Sequence, residues 1–418
     1  MSIEEIKTVC FVGAGTMGCV NSLVSAVSGY NVVLYDIAAD NLSQVPERHQ
    51  EIAAFLVGSG YCSPETVSAA IKHITLSSDL EKATENADLV SESVFEKLEL
   101  KRKVHQELDD LCPPRTILTT NTSILLVSDI ESAVKRGDKF AALHSHLGSL
   151  VIDIVGGPRT KPDTIEILKR YVLSLGGTPL VLKKEYPGYV LNAMLGPLNT
   201  MAMNLVIAGH ASIEEVDRAW MFYRKAPMGP FGIMDYVGLN VIFDSLHQQN
   251  PDPNIEKLKP IIISYLTPYI EKGELGIKTG KGFYMYPDPT YQQSNFLEKK
   301  IDPSPAYHPL ISALIQSGVL VALNDVAEPA DIDRAWMAAT YLDMGPFGVL
   351  DQMGIDNFQD LLKEQVEKGL LIPENAAIAE AYLQQYVDRN ELGEKSGQGF
   401  YSHPDPAYKK PEFLKGMN

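Results

Sequence analysis

Tryptophan is nearly absent (2 of 418 residues), cysteine is scarce (four), and basic residues are outnumbered, 36 Lys+Arg against 53 Asp+Glu. Each shortage excludes something. Cys10, Cys19, Cys62 and Cys112 lie in the first third at irregular spacing. They make neither a disulfide framework nor a zinc-ligand pattern, and reduced thiols in a cytoplasmic protein are expected. A formal net charge of −17 argues against nucleic acid or an anionic membrane as partner. No segment is low in complexity, and no apolar run is read as long enough to cross a bilayer. The start, MSIEEIKTVCFVGAG, lacks a basic flank before an apolar core, and lacks the Arg-rich look of a transit peptide. What is present is ordinary for a globular chain: 45% apolar and 21% charged residues. The length calls for two or three domains.

Residues 7–12 (KTVCFV) are a short apolar run that opens into GAGTMG, then a helical stretch, then NVVLYD. Strand, Gly-rich turn, helix, strand is the start of a nucleotide-binding βαβ unit. Further strands are predicted at 87–93, 116–121, 139–146 and 178–182, with helical patterns between most of them. Such alternation implies a Rossmann-type α/β domain with a mostly parallel sheet covered on both faces. After residue 186 strand signals nearly vanish, and PGYVLNAMLGPLNTMAMNLVIAG reads as a long apolar helix. The helical part repeats itself. IEEVDRAWMFYRKAPMGPFGIMDYVGL (213–239) recurs as ADIDRAWMAATYLDMGPFGVLDQMGI (330–355), and GELGIKTGKGFYMYPDP (273–289) as NELGEKSGQGFYSHPDP (390–406). Both tryptophans, Trp220 and Trp336, fall at equivalent places. The expected domains are therefore 1–184, α/β; 185–297, a first helical module; and 298–418, its duplicate. Tandem copies would bury within one chain the face that a single module buries against a twin.

Gly13, Gly15 and Gly18 form G-x-G-x-x-G at the end of a predicted strand, with Thr16 and Met17 opening the helix. The first glycine allows the tight turn, the second lets backbone approach a pyrophosphate, and the third lets helix pack on strand. The helix N-terminus then faces the phosphates. Asp36 ends the second strand, where a carboxylate accepts the adenosine ribose hydroxyls and repels a 2′-phosphate. The expected cofactor is NAD rather than NADP. FAD uses the same fingerprint and is the competitor.

GAGTMG with LYD, ADLVSESVFEKLELK, TTNTS, KFAALH, VIDIVGGPRT, YPGYVLN and PMGPFGIMDYVGL occur in that order, followed by KTGKGFYMYP. Together they resemble the L-3-hydroxyacyl-CoA dehydrogenase family over about residues 6–285, the second helical copy repeating its C-terminal module. The resemblance implies a Rossmann domain followed by 6-phosphogluconate-dehydrogenase-like all-α modules. It also implies hydride transfer between the C3 of a short-chain acyl thioester and NAD, as in fatty-acid β-oxidation. His144 falls at the family's catalytic histidine, a base whose pKa suits neutral pH. Ser123 falls at a serine near nicotinamide and substrate, and Asn192 at an asparagine that hydrogen-bonds the substrate oxygen. Glu92 and Lys97 match positions lining the nicotinamide half, and Lys278 a C-terminal lysine near the cofactor.

The chain also departs from that pattern. The family usually reads His-Phe-Phe-Asn-Pro where this sequence reads His144-Ser145-His146-Leu147-Gly148, and the loop that follows is shorter. The family's Glu partner of the histidine aligns best with Asp153, one methylene shorter. His146 is a second candidate base, because residues two apart in a strand share a face. Few basic residues follow Asp36, Pro46 interrupts or restarts a helix, and Ala193 stands where the family usually has arginine. Each residue also has a plain structural reading: Ser123 as a cap, Asn192 as a buried amide with a partner, Lys278 as a solvated turn residue. Three functions stay open: an L-3-hydroxyacyl-CoA dehydrogenase, a dehydrogenase of a non-CoA 3-hydroxy acid or unusual acyl-CoA, and a non-catalytic cofactor-binding protein. As an assembly, the chain is either a monomer with paired helical modules or a homodimer.

Overall fold

The computed structural model describes residues 6–247, 253–298 and 302–416. The extreme N-terminus (1–5), part of the leader reading, lies outside the described residues, and the expected join between helical copies abuts 299–301, also outside them. The chain divides into two compact units. The first ends at Tyr189 and takes in 414–416; the second is Val190–Phe413. The division thus falls after Tyr189 rather than after 184, and both helical copies belong to one unit.

Eight strands build the first unit: β1 (Thr8–Val12), β2 (Asn31–Tyr35), β3 (Ile74–Ser77), β4 (Leu89–Glu92), β5 (Ile117–Thr120), β6 (Phe140–Ser145), β7 (Val151–Gly156) and β8 (Thr178–Val181). They lie in the order β3-β2-β1-β4-β5-β6-β7-β8, every pair parallel except β6–β7. The central strands are buried along their whole length, as helices on both faces of a parallel sheet require. The sequence reading had no counterpart for β3. It is four residues, ITLS, at the sheet edge, with two side chains exposed, so its pattern is too short and too polar to signal a strand. Pro46 starts a new helix, Val45–Gly58, after the short helix Ala39–Ser43.

β1, β4, β5 and β6 are adjacent and parallel, so their C-terminal ends share one edge of the sheet. Ligands of open α/β sheets bind along that edge.

The second unit holds two runs of five helices. Leu191–Ile207, Ile213–Arg224, Pro230–Val237, Leu239–Leu246 and Pro253–Glu271 are matched by Ser304–Leu323, Pro329–Thr340, Pro346–Met353, Ile355–Glu367 and Pro373–Asp388. Leu191–Ile207 packs along Ser304–Leu323, and Trp220 meets Trp336 edge-on at 6.4 Å between ring centroids. Equivalent elements therefore face each other. In each copy a buried aspartate ties the MGPFG turn. Asp217 accepts the Phe231 and Gly232 amides and the Tyr284 hydroxyl; Asp333 accepts the Phe347 and Gly348 amides and the Tyr401 hydroxyl. The expectation of no bilayer-length apolar run is corrected by Ser304–Leu323. Its 20 residues are long and apolar enough, but 14 of them are buried in the unit, where the helix forms its core.

Candidate active site

At the end of β1 the chain turns through Gly13 into the helix Thr16–Val27. Gly13 adopts φ +106°, and a Cβ there would meet the Ser93 carbonyl oxygen at 2.7 Å. A Cβ on Gly18 would sit 1.8 Å from the Gly13 carbonyl oxygen. Both glycines are thus demanded by the fold itself. Gly15 differs: nothing lies within 4 Å of its Cβ position, and it is exposed at the helix N-cap with no side-chain cap. Glycine is kept where the protein does not need it, which fits a cradle for a group approaching the helix terminus. Thr16 is exposed beside it and Met17 half-buried. Asp36, at the end of β2, accepts the Ala14 amide at 2.8 Å through Oδ2 and the Ala38 amide at 2.8 Å through Oδ1. It binds the Gly-rich turn to the second strand end. These residues fit an NAD dinucleotide.

The segment after β4 links this turn to the chemistry. Glu92 is fully buried, and its four partners are all protein groups: the Val94 amide, Lys101, His105 and Thr120. Burial alone would raise its carboxyl; Lys101 and His105 outweigh that and hold it at about 2. Glu92 therefore braces the strand ends, because a residue on the last inward position of β4 points into the core. The carboxylate that reaches the neighbouring loop is Glu96, which the sequence reading passed over. Its Oε1 accepts the Ser123 and Ile124 amides at 2.8 and 3.0 Å and the Thr122 hydroxyl, while Oε2 lies 3.3 Å from Lys101. The signal was available in EKLELK, where Glu96 follows Glu92 by one helical turn. Lys97 is exposed at the N-cap of Leu98–Leu111.

Ser123, held by Glu96, places its Oγ 3.0 Å from His144 Nε2. His144 Nδ1 lies 2.9 Å from Asp153 Oδ2. The shorter carboxylate reaches because β6 and β7 are antiparallel and His144 is the direct cross-strand neighbour of Asp153. His146 Nε2 lies 2.8 Å from the same oxygen, and the two imidazoles meet edge-on at 4.5 Å. All three side chains are buried. Burial would raise the Asp153 carboxyl, but the two histidines bring it down to about 2. The His144 pKa is lowered, first by burial and next by His146, with Asp153 opposing both. An ionised carboxylate only accepts, so His144 carries its proton on Nδ1 and presents the Nε2 lone pair to Ser123. The Asn121 side chain accepts the Ser145 amide at 2.8 Å and fixes the end of β6. Tyr189, not anticipated from sequence, lays its ring 5.2 Å from His144. Its hydroxyl and Asp153 Oδ1 are buried without a partner among the described residues. His144, His146 and Asp153 are also the group whose metal-type ligand atoms converge among the described residues, all within 4.8 Å.

Two expected site residues belong to the second unit. Asn192 is half-buried in the first turn of Leu191–Ile207. Lys278 is exposed, and no ion pair engages it among the described residues; its duplicate Lys395 is paired with Asp356. The first copy has Asn240 where the second has Asp356.

Residues 8–186 match the family profile described as the NAD binding domain of 3-hydroxyacyl-CoA dehydrogenase. Its C-terminal domain profile matches 188–286 and again 308–403, once per helical copy. The mitochondrial hydroxyacyl-coenzyme A dehydrogenase of Rattus norvegicus is 32% identical over 292 residues, 67% of this chain and 91% of that protein. Among solved structures, a diketoreductase described as performing substrate-directed dual catalysis of dicarbonyl compounds is 35% identical, with a TM-score of 0.61 over 67% of this chain and 99% of its own. The 3-hydroxybutyryl-CoA dehydrogenase of Escherichia coli K12 is 21% identical and shares the fold, with a TM-score of 0.75 over 92% of this chain and 99% of its own.

Proposed function

The chain belongs to the 3-hydroxyacyl-CoA dehydrogenase family, an NAD-dependent oxidoreductase acting on CH–OH groups, and we propose that it oxidises short-chain L-3-hydroxyacyl-CoA reversibly to 3-oxoacyl-CoA. The observation that carries this reading is the shared strand edge. The Gly-rich turn, Glu96, Ser123 and His144 follow or end four adjacent parallel strands, and each touches the next segment along. Gly13, Gly15, Thr16, Met17, Gly18 and Asp36 would hold NAD, with Lys97 and Lys278 as cationic candidates. Bound NAD supplies the acceptor for the hydride that leaves C3.

The chain's own groups manage the proton. His144 Nε2 takes it from the 3-hydroxyl, and Asp153 stabilises the resulting imidazolium through Nδ1. The Ser123 hydroxyl, already on Nε2, orients the reacting oxygen beside it. Asn192 is the candidate donor to the substrate oxygen. Burial of the imidazole–carboxylate pair excludes water, which strengthens their coupling. A cytoplasmic monomer is the proposed setting, with four cysteines free of disulfides and two helical copies paired in cis.

The likeness to a diketoreductase favours a second reading, in which the substrate is a 3-hydroxy or 3-oxo compound not carried on CoA. The scarcity of basic residues after Asp36 agrees with it. NADH formation with L-3-hydroxybutyryl-CoA in one cuvette and free 3-hydroxybutyrate in another separates the two. Turnover with the thioester alone, reduced about 10²- to 10⁴-fold by His144→Ala, is expected for the first reading. Protein that binds NAD yet leaves the thioester untouched would sink it.

A further inference from the structure

Two imidazoles compete for a single carboxylate oxygen. A carboxylate has two oxygens and about four acceptor positions, and the economical arrangement places one ring on each. Here both His144 Nδ1 and His146 Nε2 address Asp153 Oδ2, at 2.9 and 2.8 Å, while Oδ1 is buried without a partner among the described residues. Asp153 is fully buried, and His146 is 7% exposed. The arrangement follows from the departures at HSHLG. His146 leaves the end of β6 at a turn in which the Ser149 amide bonds the His146 carbonyl, so its ring folds back over the face that His144 occupies.

We propose that His146 is a positioning residue for the reaction: its Nε2–H pins Asp153 Oδ2 under His144 Nδ1, so that two imidazoles on one oxygen, rather than a lone His–Asp pair, set the proton affinity of Nε2. The inference rests on His144 being the base. A short aspartate has fewer contacts to hold its carboxylate plane than a longer acid threaded among neighbours. Without the second donor, either oxygen serves His144 equally and the plane is free to turn. With it, one oxygen is fixed and its negative charge is divided. A divided charge stabilises the imidazolium less, so His144 binds its proton more weakly than it would beside an undivided carboxylate. The other groups facing the pair are Ser123 and, at longer range, Glu96 from the loop side, and the Tyr189 ring. None of them donates to Oδ2. Removal of His146 is therefore the change that returns the whole carboxylate to His144.

The experiment compares the full-length wild type with His146→Ala, His146→Gln and His144→Ala. NAD affinity, by quenching of protein fluorescence, checks that the cofactor domain is intact. Two readouts follow: the pH profile of kcat/KM with L-3-hydroxybutyryl-CoA, and the protonation midpoint of the His144 ring by NMR in protein without substrate. His146→Ala is expected to lower kcat roughly 10- to 100-fold, the usual cost of losing an orienting partner. NAD affinity stays unchanged, while the acid limb and the His144 midpoint both move to higher pH. Glutamine carries an N–H at the place of the ring Nε2–H, so His146→Gln is expected to recover kcat to within a few-fold. Unmoved kcat and an unmoved midpoint in His146→Ala would overturn the proposal. So would a glutamine variant no better than alanine, or a transition metal bound stoichiometrically through His144, His146 and Asp153 in the purified protein. Retained turnover in His144→Ala would instead remove the underlying reading of the base. The NMR midpoint does not depend on the choice of substrate, so a failure of the thioester as substrate leaves this proposal testable by itself.

Discussion

At the scale of single residues, protons decide the behaviour. His144 acts as base only when neutral, and burial followed by the neighbouring His146 lowers its pKa below the ordinary 6.5. The rate falls as pH falls through the folded-state value, so kcat/KM is expected to stay on its plateau below pH 6.5 and to decline only in more acid solution. A profile whose acid limb lies above 6.5 would contradict this. Asp153 points the same way for stability. Its folded value of about 2 is below the ordinary 3.8, so its contribution is complete above 3.8 and is lost as pH drops toward 2. The two duplicated lysines make a second residue-scale case. Lys395 is neutralised by Asp356, whereas Asn240 leaves Lys278 without a carboxylate partner among the described residues. If Lys278 serves the cofactor, Lys278→Ala should weaken NAD binding about tenfold or more, the loss of one charge-assisted hydrogen bond. Lys395→Ala should leave it unchanged. Equal effects in a fluorescence titration would assign both lysines to the surface alone.

At the scale of elements, the strand–turn–helix at 8–27 separates fold from function within one motif. A methyl on Gly18 strikes the Gly13 carbonyl, a backbone atom that cannot move aside; a methyl on Gly15 strikes nothing in the protein. Gly18→Ala is expected to destabilise the first unit by a few kcal/mol, as overpacking does. Gly15→Ala should melt like the wild type yet lose NAD affinity, because the methyl occupies the path of the pyrophosphate. A Gly15→Ala protein with unchanged NAD affinity would place the dinucleotide elsewhere. Elements also show what was legible in the sequence. β1, β2, β4, β5, β6 and β8 were readable as apolar runs, and the duplication was readable from its repeated MGPFG and GFY segments. β3 was not, because an exposed edge strand of four residues carries no period. The pairing of His144 with Asp153 was readable as a motif, but its reach depends on cross-strand register, which only a folded hairpin supplies. Glu96 and Tyr189 escaped for the same reason: each acts on a residue distant in sequence, through a contact that no local pattern records.

At the scale of the whole molecule, the duplication explains how one catalytic domain comes with two helical modules. A module whose first helix is apolar on a broad face must bury that face. In this chain Leu191–Ile207 does so against Ser304–Leu323, and Trp220 against Trp336, each element meeting its own duplicate as symmetric partners do across a two-fold. Covalent linkage keeps the second copy at a high effective concentration, so it outcompetes any copy from another chain. The second copy matches the C-terminal profile alone and brings no second nucleotide-binding domain. Its Asp333 turn repeats the Asp217 turn bond for bond, which shows that this arrangement serves packing and does not require a site. The full chain is therefore expected to sediment as a 46.0 kDa monomer with one NAD site. A chain ended at residue 298 uncovers the face of Leu191–Ile207 and should self-associate, forming a dimer or precipitating. If the full chain sediments as a tight dimer while the shortened one is a well-behaved monomer, the second copy is not standing in for a partner, and the Trp220–Trp336 contact is packing without that consequence.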